Sequence, residues 1–259
     1  MARKKKEVEK QQTEIEIVQR EMERISVWIV GTTPFICNRV SEKAKRELLD
    51  PSPRKNRVAK EQSLKHHPLE EFRSSPYILR DDSAPTYLAV LAVSFKKSMM
   101  SAALDLPGTT KAQIGRLIRA VGERLPLYGI PELFMTIVRS ADQKRTPDVR
   151  TRAIVPKWAV PLDLMYPVPL LRSKSVLNLL AAAGEGSGVG DWRQEKGSAD
   201  YGSFRLAQPD DEELLAILSS GGRDAQIAAM ASPAYYDQET EELFEWWLER
   251  VRDRDLKVV

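Results

Sequence analysis

Residues 181–206 read AAAGEGSGVGDWRQEKGSADYGSFRL, and the order of elements in this stretch decides how the rest of the chain is assembled. Ahead of it, SKSVLNLLAAAG places Val176, Leu177, Leu179 and Leu180 at helical spacing and ends on a glycine, which predicts a helix over residues 173–184. Behind it, Tyr201-Gly202-Ser203-Phe204-Arg205-Leu206 alternates as a strand does. Between the two, Gly184, Gly186, Gly188 and Gly190 alternate with other residues and lead into Asp191-Trp192-Arg193-Gln194-Glu195-Lys196. Glycine admits positive φ and lets a second backbone come close. The unit is therefore helix, long glycine-rich loop, strand, with Trp192, Arg193 and Lys196 displayed on the loop. A dinucleotide fingerprint needs its glycines between a strand and the start of a helix, the reverse of this order, and the Gly-Lys-Ser/Thr of a P-loop is absent. A plain connector is the simplest alternative reading of such a loop. A ring flanked by guanidinium and ammonium groups instead suits a single-stranded nucleic acid.

Working outward, RISVWIVG predicts a first core strand over residues 24–31, and SEKAKRELLD a helix over 41–50 capped by Ser41. LFMTIVR predicts a strand over 132–139 and WAVPLDLMY another over 158–166, with Pro161 marking an edge or bulge. These elements, with the helix 173–184 and the strand 201–206, give the order β-α-β-β-α-β. That is the order of a ferredoxin-like, RRM-like α+β core. Three additions decorate it: a helical insertion at 51–131, a basic hairpin projecting from 140–157, and a C-terminal helical appendage at 209–259. Residues 1–23 form a basic polar lead, leaving 24–208 as the core domain. Within the insertion, 88–105 predicts a helix or a short strand running into one, and it carries Lys96 and Lys97.

The formal net charge of +3 hides an asymmetry: residues 210–259 hold thirteen acidic and five basic side chains, so residues 1–209 carry +11. That distribution suits a nucleic-acid-binding body with an acidic appendage. No stretch approaches the ~18 apolar residues of a membrane span. The N-terminus has no apolar signal region, which predicts a cytoplasmic protein with no membrane partner. A single cysteine, Cys37, excludes an internal disulfide, and with His66 and His67 as the only histidines no zinc set exists. Neither a cofactor motif nor a metal set is expected. Cys37 reads as a small buried residue.

The candidate nucleic-acid contacts are Lys96, Lys97, Lys144, Arg145, Arg150, Arg152, Gly188, Gly190, Trp192, Arg193 and Lys196: the cations for phosphate, the glycines for close approach, the ring for stacking. For any one arginine alone, a surface ion pair is the competing reading. Residues 51–68 add Arg54, Lys55, Arg57, Lys60 and Lys65. Two enzymatic alternatives remain open: a ribonuclease using His66 or His67, and a metal nuclease using Asp142, Asp148 or Asp191. A third alternative is a structural or adaptor protein docking through its helical tail.

The segments TPDVRTRAIVPKWAVPLDLMY and SVLNLLAAAGEGSGVGDWRQEKGSADYGSFRL resemble a family of phage- and prophage-encoded proteins. That family shares an arginine-rich strand, a second strand and a G-x-G-x-W-R-x-E-K segment, and the match spans roughly residues 85–206. More distantly the chain resembles the RAMP superfamily, and within it the CRISPR effector backbone subunit that polymerises along guide RNA. This second resemblance rests on the element order, the projecting hairpin and the glycine-rich loop before the last strand. It implies a modified RNA-recognition-type fold, sequence-independent backbone binding to RNA in preference to DNA, head-to-tail homo-oligomers, and other effector or phage proteins as partners. No histidine of this chain is matched to a catalytic histidine of RAMP nucleases, and the acidic tail departs from the pattern.

Overall fold

A ten-residue antiparallel register, from Glu21↔Val168 to Val30↔Ala159, joins β1 (Glu21–Gly31) to β9 (Ala159–Val168) and forms the backbone of the molecule. The computed structural model describes residues 19–41, 45, 48–49, 66–139, 147–196 and 199–253. Strand β1 begins three residues ahead of the expected 24, because its first half is charged: Glu23 accepts from the Tyr166 hydroxyl at 2.7 Å, and Arg24 and Ser26 both bond to Asp163. Such cross-strand polar pairs hold an exposed strand together without the apolar alternation that advertises one.

Strand β10 (Phe204–Leu206) pairs with the other edge of β1, and β5 (Arg119–Ala120) with the far edge of β9, giving the order β10-β1-β9-β5. A second sheet has the order β2-β8-β7, built from Phe35–Ile36, Pro147–Val155 and Glu132–Arg139. The third is β3-β4-β6, from Tyr77–Ile78, Leu88–Leu91 and Arg124–Pro126. The described residues thus form a mixed α+β structure with three antiparallel sheets and seven α-helices.

This corrects one expectation. The strand at 132–139 exists but does not join the sheet of β1 and β9; it pairs with β8 from Glu132↔Ile154 to Arg139↔Pro147. The sequence PDVRTRAIV alternates Val149, Thr151, Ala153 and Val155 with Asp148, Arg150, Arg152 and Ile154, so it is a full strand. Its neighbour in sequence is the nearest partner, and local closure is the cheaper pairing. What reads as a projecting hairpin is at its base a sheet. The hairpin tip, with Asp142, Lys144 and Arg145, lies outside the described residues, as do the insertion's 51–65 and most of the helix expected at 41–50.

The segment at 88–105 is indeed a strand running into a helix, β4 then α2 (Ala92–Ala102). Helix α1 (Pro68–Ser74) lies along the open edge of β8, where Ser75 Oγ accepts from Ala153 N at 2.8 Å. Helix α3 (Lys111–Leu117) is capped by the Thr110 side chain. Helix α4 (Ser173–Gly186) packs on α2, with Ser98 Oγ donating to Ala183 O at 3.1 Å, and on β10. Under these elements, Trp158 is fully buried and donates from Nε1 to Thr33 O at 2.8 Å. Its indole lies on Gly31, where a Cβ would come within 2.1 Å of Nε1.

The appendage is α5 (Glu212–Ser220), α6 (Arg223–Ala231) and α7 (Gln238–Asp253). The predicted stripe faces inward: Phe244, Trp247 and Val251 are buried in the main core, with Leu243 and Leu248 packed against it. At the start of α5, Asp211 caps the helix and pairs with Arg205 of β10; this hydrogen bond holds its carboxyl well below the usual range. Among the described residues no helix is long and apolar enough to cross a membrane.

One buried side chain couples the appendage to the rest. Gln226, with no exposed surface, accepts from Tyr87 N (2.8 Å) and Leu88 N (2.9 Å) and donates to the carbonyls of Leu127 (2.7 Å), Gly129 (2.9 Å) and Gly221 (3.0 Å). Gln226→Leu keeps the bulk but strands several buried backbone groups, so it should lower the unfolding free energy by about 2–5 kcal/mol. Denaturant titration of the purified variant measures this; a loss under ~1 kcal/mol would mean that water replaces the amide.

Candidate functional site

The face of the β7–β8 hairpin that carries Arg150 and Arg152 meets the glycine-rich loop at Asp191. Asp148, Arg150 and Arg152 alternate along one side of β8 and lie opposite Val138, Thr136 and Phe134 of β7. The loop reaches this face because it is bonded to β2, the other neighbour of β8: Asp191 N donates to Ile36 O at 3.0 Å, and Val189 N to Gly202 O at 2.9 Å. Gly188 and Gly190 have φ of 65° and 93°, and at Gly202 (φ 72°) a Cβ would lie 1.7 Å from Val189 O. These glycines permit backbone-to-backbone packing. The loop is a fixed wall of the sheet's open face, which a mere connector would not need to be.

The carboxylate of Asp191 stands 3.5 Å from Arg150 Nη1 and 4.0 Å from Arg152 Nε, so two guanidinium groups share one counter-ion. Burial, then the neighbouring Arg150, works against the charge on Arg152. Its Nε is buried with no hydrogen-bond acceptor. Beside the pair, Trp192 is half-buried in an aromatic group with Phe134 (6.4 Å between centroids) and Tyr201 (6.2 Å), and Tyr236 closes on Phe134 at 5.4 Å. Trp192 has a φ of 50°, rare for a bulky residue, and its N–H donates to Asp191 Oδ1 at 3.2 Å.

The other candidates are placed differently. Arg193 turns inward, donating from Nε to Glu195 at 2.9 Å and from Nη1 to Gly190 O at 3.3 Å, and so braces the loop. Lys196 ends the turn Gln194–Lys196, and its side chain lies outside the described residues. Lys96 and Lys97 are on α2, with Lys97 exposed one helical turn before Ser101, whose hydroxyl donates to Glu195 at 2.6 Å. Lys144 and Arg145 lie outside the described residues, in the segment joining Arg139 to Pro147. Arg150, Arg152, Gly190 and Trp192 are therefore brought together, Gly188 and Arg193 support them, and Lys96 and Lys97 stand on a separate helix.

Sequence reasoning missed the role of His66. Its Nδ1 bonds to Glu71 and its Nε2 to Asp148, each at 2.9 Å. The Glu71 hydrogen bond, reinforced by both carboxylates and opposed by burial, raises its pKa, and with a carboxylate on each ring nitrogen the surroundings favour the cationic ring. With neither nitrogen open, His66 is a clamp and lacks the free nitrogen that a general base needs. The clamp fastens His66, the first described residue after the basic 51–65 segment, beside the start of β8. No signal in the sequence links residues 82 positions apart. The Cys37 thiol is pushed up to about 12, chiefly by burial, as a core cysteine should be. Among the described residues no group of three or more His, Cys, Asp or Glu side chains is arranged to hold a metal ion.

The chain matches no protein-family profile and no curated protein. Among solved structures, it is similar to a chain in the cryo-EM structure of the Type III-B Cmr-beta bound to cognate target RNA, with a TM-score of 0.38 and 12% identity. The similarity covers 72% of this chain and 59% of that one.

Two outcomes are expected. A group whose folded pKa is raised stabilises the fold below its unfolded value and loses that contribution as pH rises through the folded value; a lowered carboxyl behaves in the opposite sense. With His66 raised from 6.5 and Glu71 lowered from 4.5, the clamp is strongest between those two values. The melting-temperature deficit of His66→Gln should accordingly be largest there and shrink as pH rises past the folded His66 value; a pH-independent deficit would show that the ring acts by packing alone. Separately, Trp192→Gly should be about 1 kcal/mol more stable than Trp192→Ala, because glycine relieves the positive φ that alanine keeps. Equal melting curves for the two would refute a strained backbone at this position.

Proposed function

We propose that this chain binds single-stranded nucleic acid, RNA in preference to DNA, through sequence-independent contacts with the phosphate backbone, and that copies assemble head to tail along it. The observation that carries this reading is the Arg150–Arg152 pair, presented on one strand face with a single shared carboxylate beside a half-buried aromatic group. Two cations with one counter-ion attract a phosphate, and an adjacent ring surface accepts a base without reading it. In sequence, the cation-bearing segments 51–65 and 140–146 directly precede His66 and Pro147, and their structure lies outside the described residues.

The strand order β10-β1-β9-β5 supports reading the central sheet as a ferredoxin-like core in which the short β5 takes the second-strand position. The hairpin β7–β8 and the wall formed by the loop then correspond to additions on that core, as the resemblance to RAMP backbone subunits implies. Under this reading Arg150, Arg152 and the tip residues Lys144 and Arg145 contact phosphate, and Trp192 stacks on a base. Lys96 and Lys97 extend the track or face a neighbouring copy. The His66 clamp gives no support to the ribonuclease alternative.

The test is fluorescence anisotropy with labelled single-stranded RNA, single-stranded DNA and duplex DNA across a salt series. RNA should bind tightest, with log affinity falling against log salt by about 0.7 per phosphate contact. Arg150→Ala with Arg152→Ala should weaken every sequence alike by roughly tenfold or more, equivalent to ~1.4 kcal/mol or above. The same variant should flatten the salt slope by about 1.4, two contacts' worth. Salt-independent affinity, or a loss confined to one sequence, would overturn the reading.

A further inference from the structure

The weak point of the arginine site is its counter-ion. A charge-assisted N–H to carboxylate bond is about 2.7–2.9 Å long, yet Asp191 stands 3.5 and 4.0 Å from its two arginines. Its backbone and one of its oxygens are held in place by other bonds. Its own N–H is bonded to Ile36 O, Gly190 before it has a backbone that leaves no room for a Cβ (2.8 Å from Ile36 O), and its Oδ1 is engaged by the Trp192 N–H. The nearest other carboxylates, Glu71 and Asp148, are committed to the His66 ring. Arg152 Nε, meanwhile, has no acceptor at all.

We propose that Asp191 is an internal stand-in for a phosphate: it occupies the place between Arg150 and Arg152 that a backbone phosphate of the bound strand takes, and it holds the affinity of the empty site down until it is displaced. This rests on the nucleic-acid reading above. A phosphodiester offers two unesterified oxygens, which reach both guanidinium groups at full hydrogen-bond length, something the tethered carboxylate does not do. Asp191 thereby prevents the arginines from holding adventitious anions tightly, at the cost of competing with the ligand.

The test is Asp191→Asn in the full chain. Asparagine keeps an Oδ1 acceptor for the Trp192 N–H and removes only the charge; Asp191→Ser, with its smaller hydroxyl acceptor, is the second variant should the first misfold. The probe is a fluorescein-labelled oligouridylate about twenty nucleotides long, followed by anisotropy over a salt series. The variant should bind roughly three- to tenfold tighter, the effect of removing one weak ion-pair competitor from each arginine. Its salt slope should steepen by about 0.7, one further phosphate contact. Its melting temperature should not rise, because an internal pair has been lost. In the Arg150→Ala, Arg152→Ala background the gain should vanish. If wild type binds and a folded Asp191 variant binds equally or more weakly, the stand-in role is refuted while the nucleic-acid reading survives. If neither wild type nor variant binds at low salt, both fall together.

Discussion

The contact on which the rest of the structure depends is the Trp158 indole lying against the backbone of Gly31. Both residues have their places fixed by hydrogen bonds: Gly31 N donates to Trp158 O at 2.8 Å, and the indole N–H donates to Thr33 O at 2.8 Å. The ring then fills the space under the turn, against Phe35 (5.4 Å) and Phe204 (6.5 Å). Where β1 ends, how the chain turns into β2, and where β10 lies all follow from this one packing unit. Because β2 pairs with β8 on one side and receives Asp191 N on the other, the position of the arginines relative to the loop is set by a tryptophan that touches neither. A side chain at residue 31 would displace the ring and, through β2, the site.

Electrostatics on the hairpin face are a matter of rationed carboxylates. Asp148, Arg150 and Arg152 follow one another at alternate positions, and the acids that reach them come from three different parts of the chain: Glu71 from α1, Asp148 from β8 itself, and Asp191 from the loop. Two of these are drawn off by His66. The clamp therefore does more than tie the insertion down, since it engages Glu71 and Asp148 by hydrogen bonds and leaves Asp191 as the carboxylate that pairs with Arg150 and Arg152. A neutral residue at position 66 would free Glu71 to pair with Arg152, to which it is already electrostatically coupled.

Much of this was legible in the sequence where periodicity was strong. The strand into helix at 88–105, the helix at 173–184, the strand at 158–166 and the inward stripe of the last helix all appear where the pattern of apolar residues placed them. The arginines and Trp192 were singled out for their chemistry, and Arg150 and Arg152 do share the carboxylate of Asp191, the residue before Trp192. What periodicity could not supply was partnership. Strand 132–139 was legible as a strand but not its pairing, because β8 carries arginines at the positions a reader expects to be apolar. Tyr201, Phe134 and Tyr236 come from three separate elements, and nothing in one dimension says that they share a surface. Arg193 looked like a free cation beside a tryptophan, yet Glu195 two residues on was the local signal that it had a partner.

The acidic appendage bears on the direction a polyanion would take. Asp237 acts on Tyr201 and Tyr236 of the aromatic group, whereas Glu212 and Glu213 of α5 line an open groove with Glu132 and Lys157, beyond the C-terminal end of β8. Glu132 has its carboxyl raised by burial, so a further negative charge brought into that groove would be opposed twice, by repulsion and by loss of water. At the other end of β8 stands the His66–Asp148 clamp. Arg150 and Arg152 lie on the strand between that clamp and the acidic groove. Under the proposed reading, a phosphate backbone held at the arginines would be repelled from that groove and directed toward the loop and the aromatic group, where a base would have to leave the backbone in order to stack.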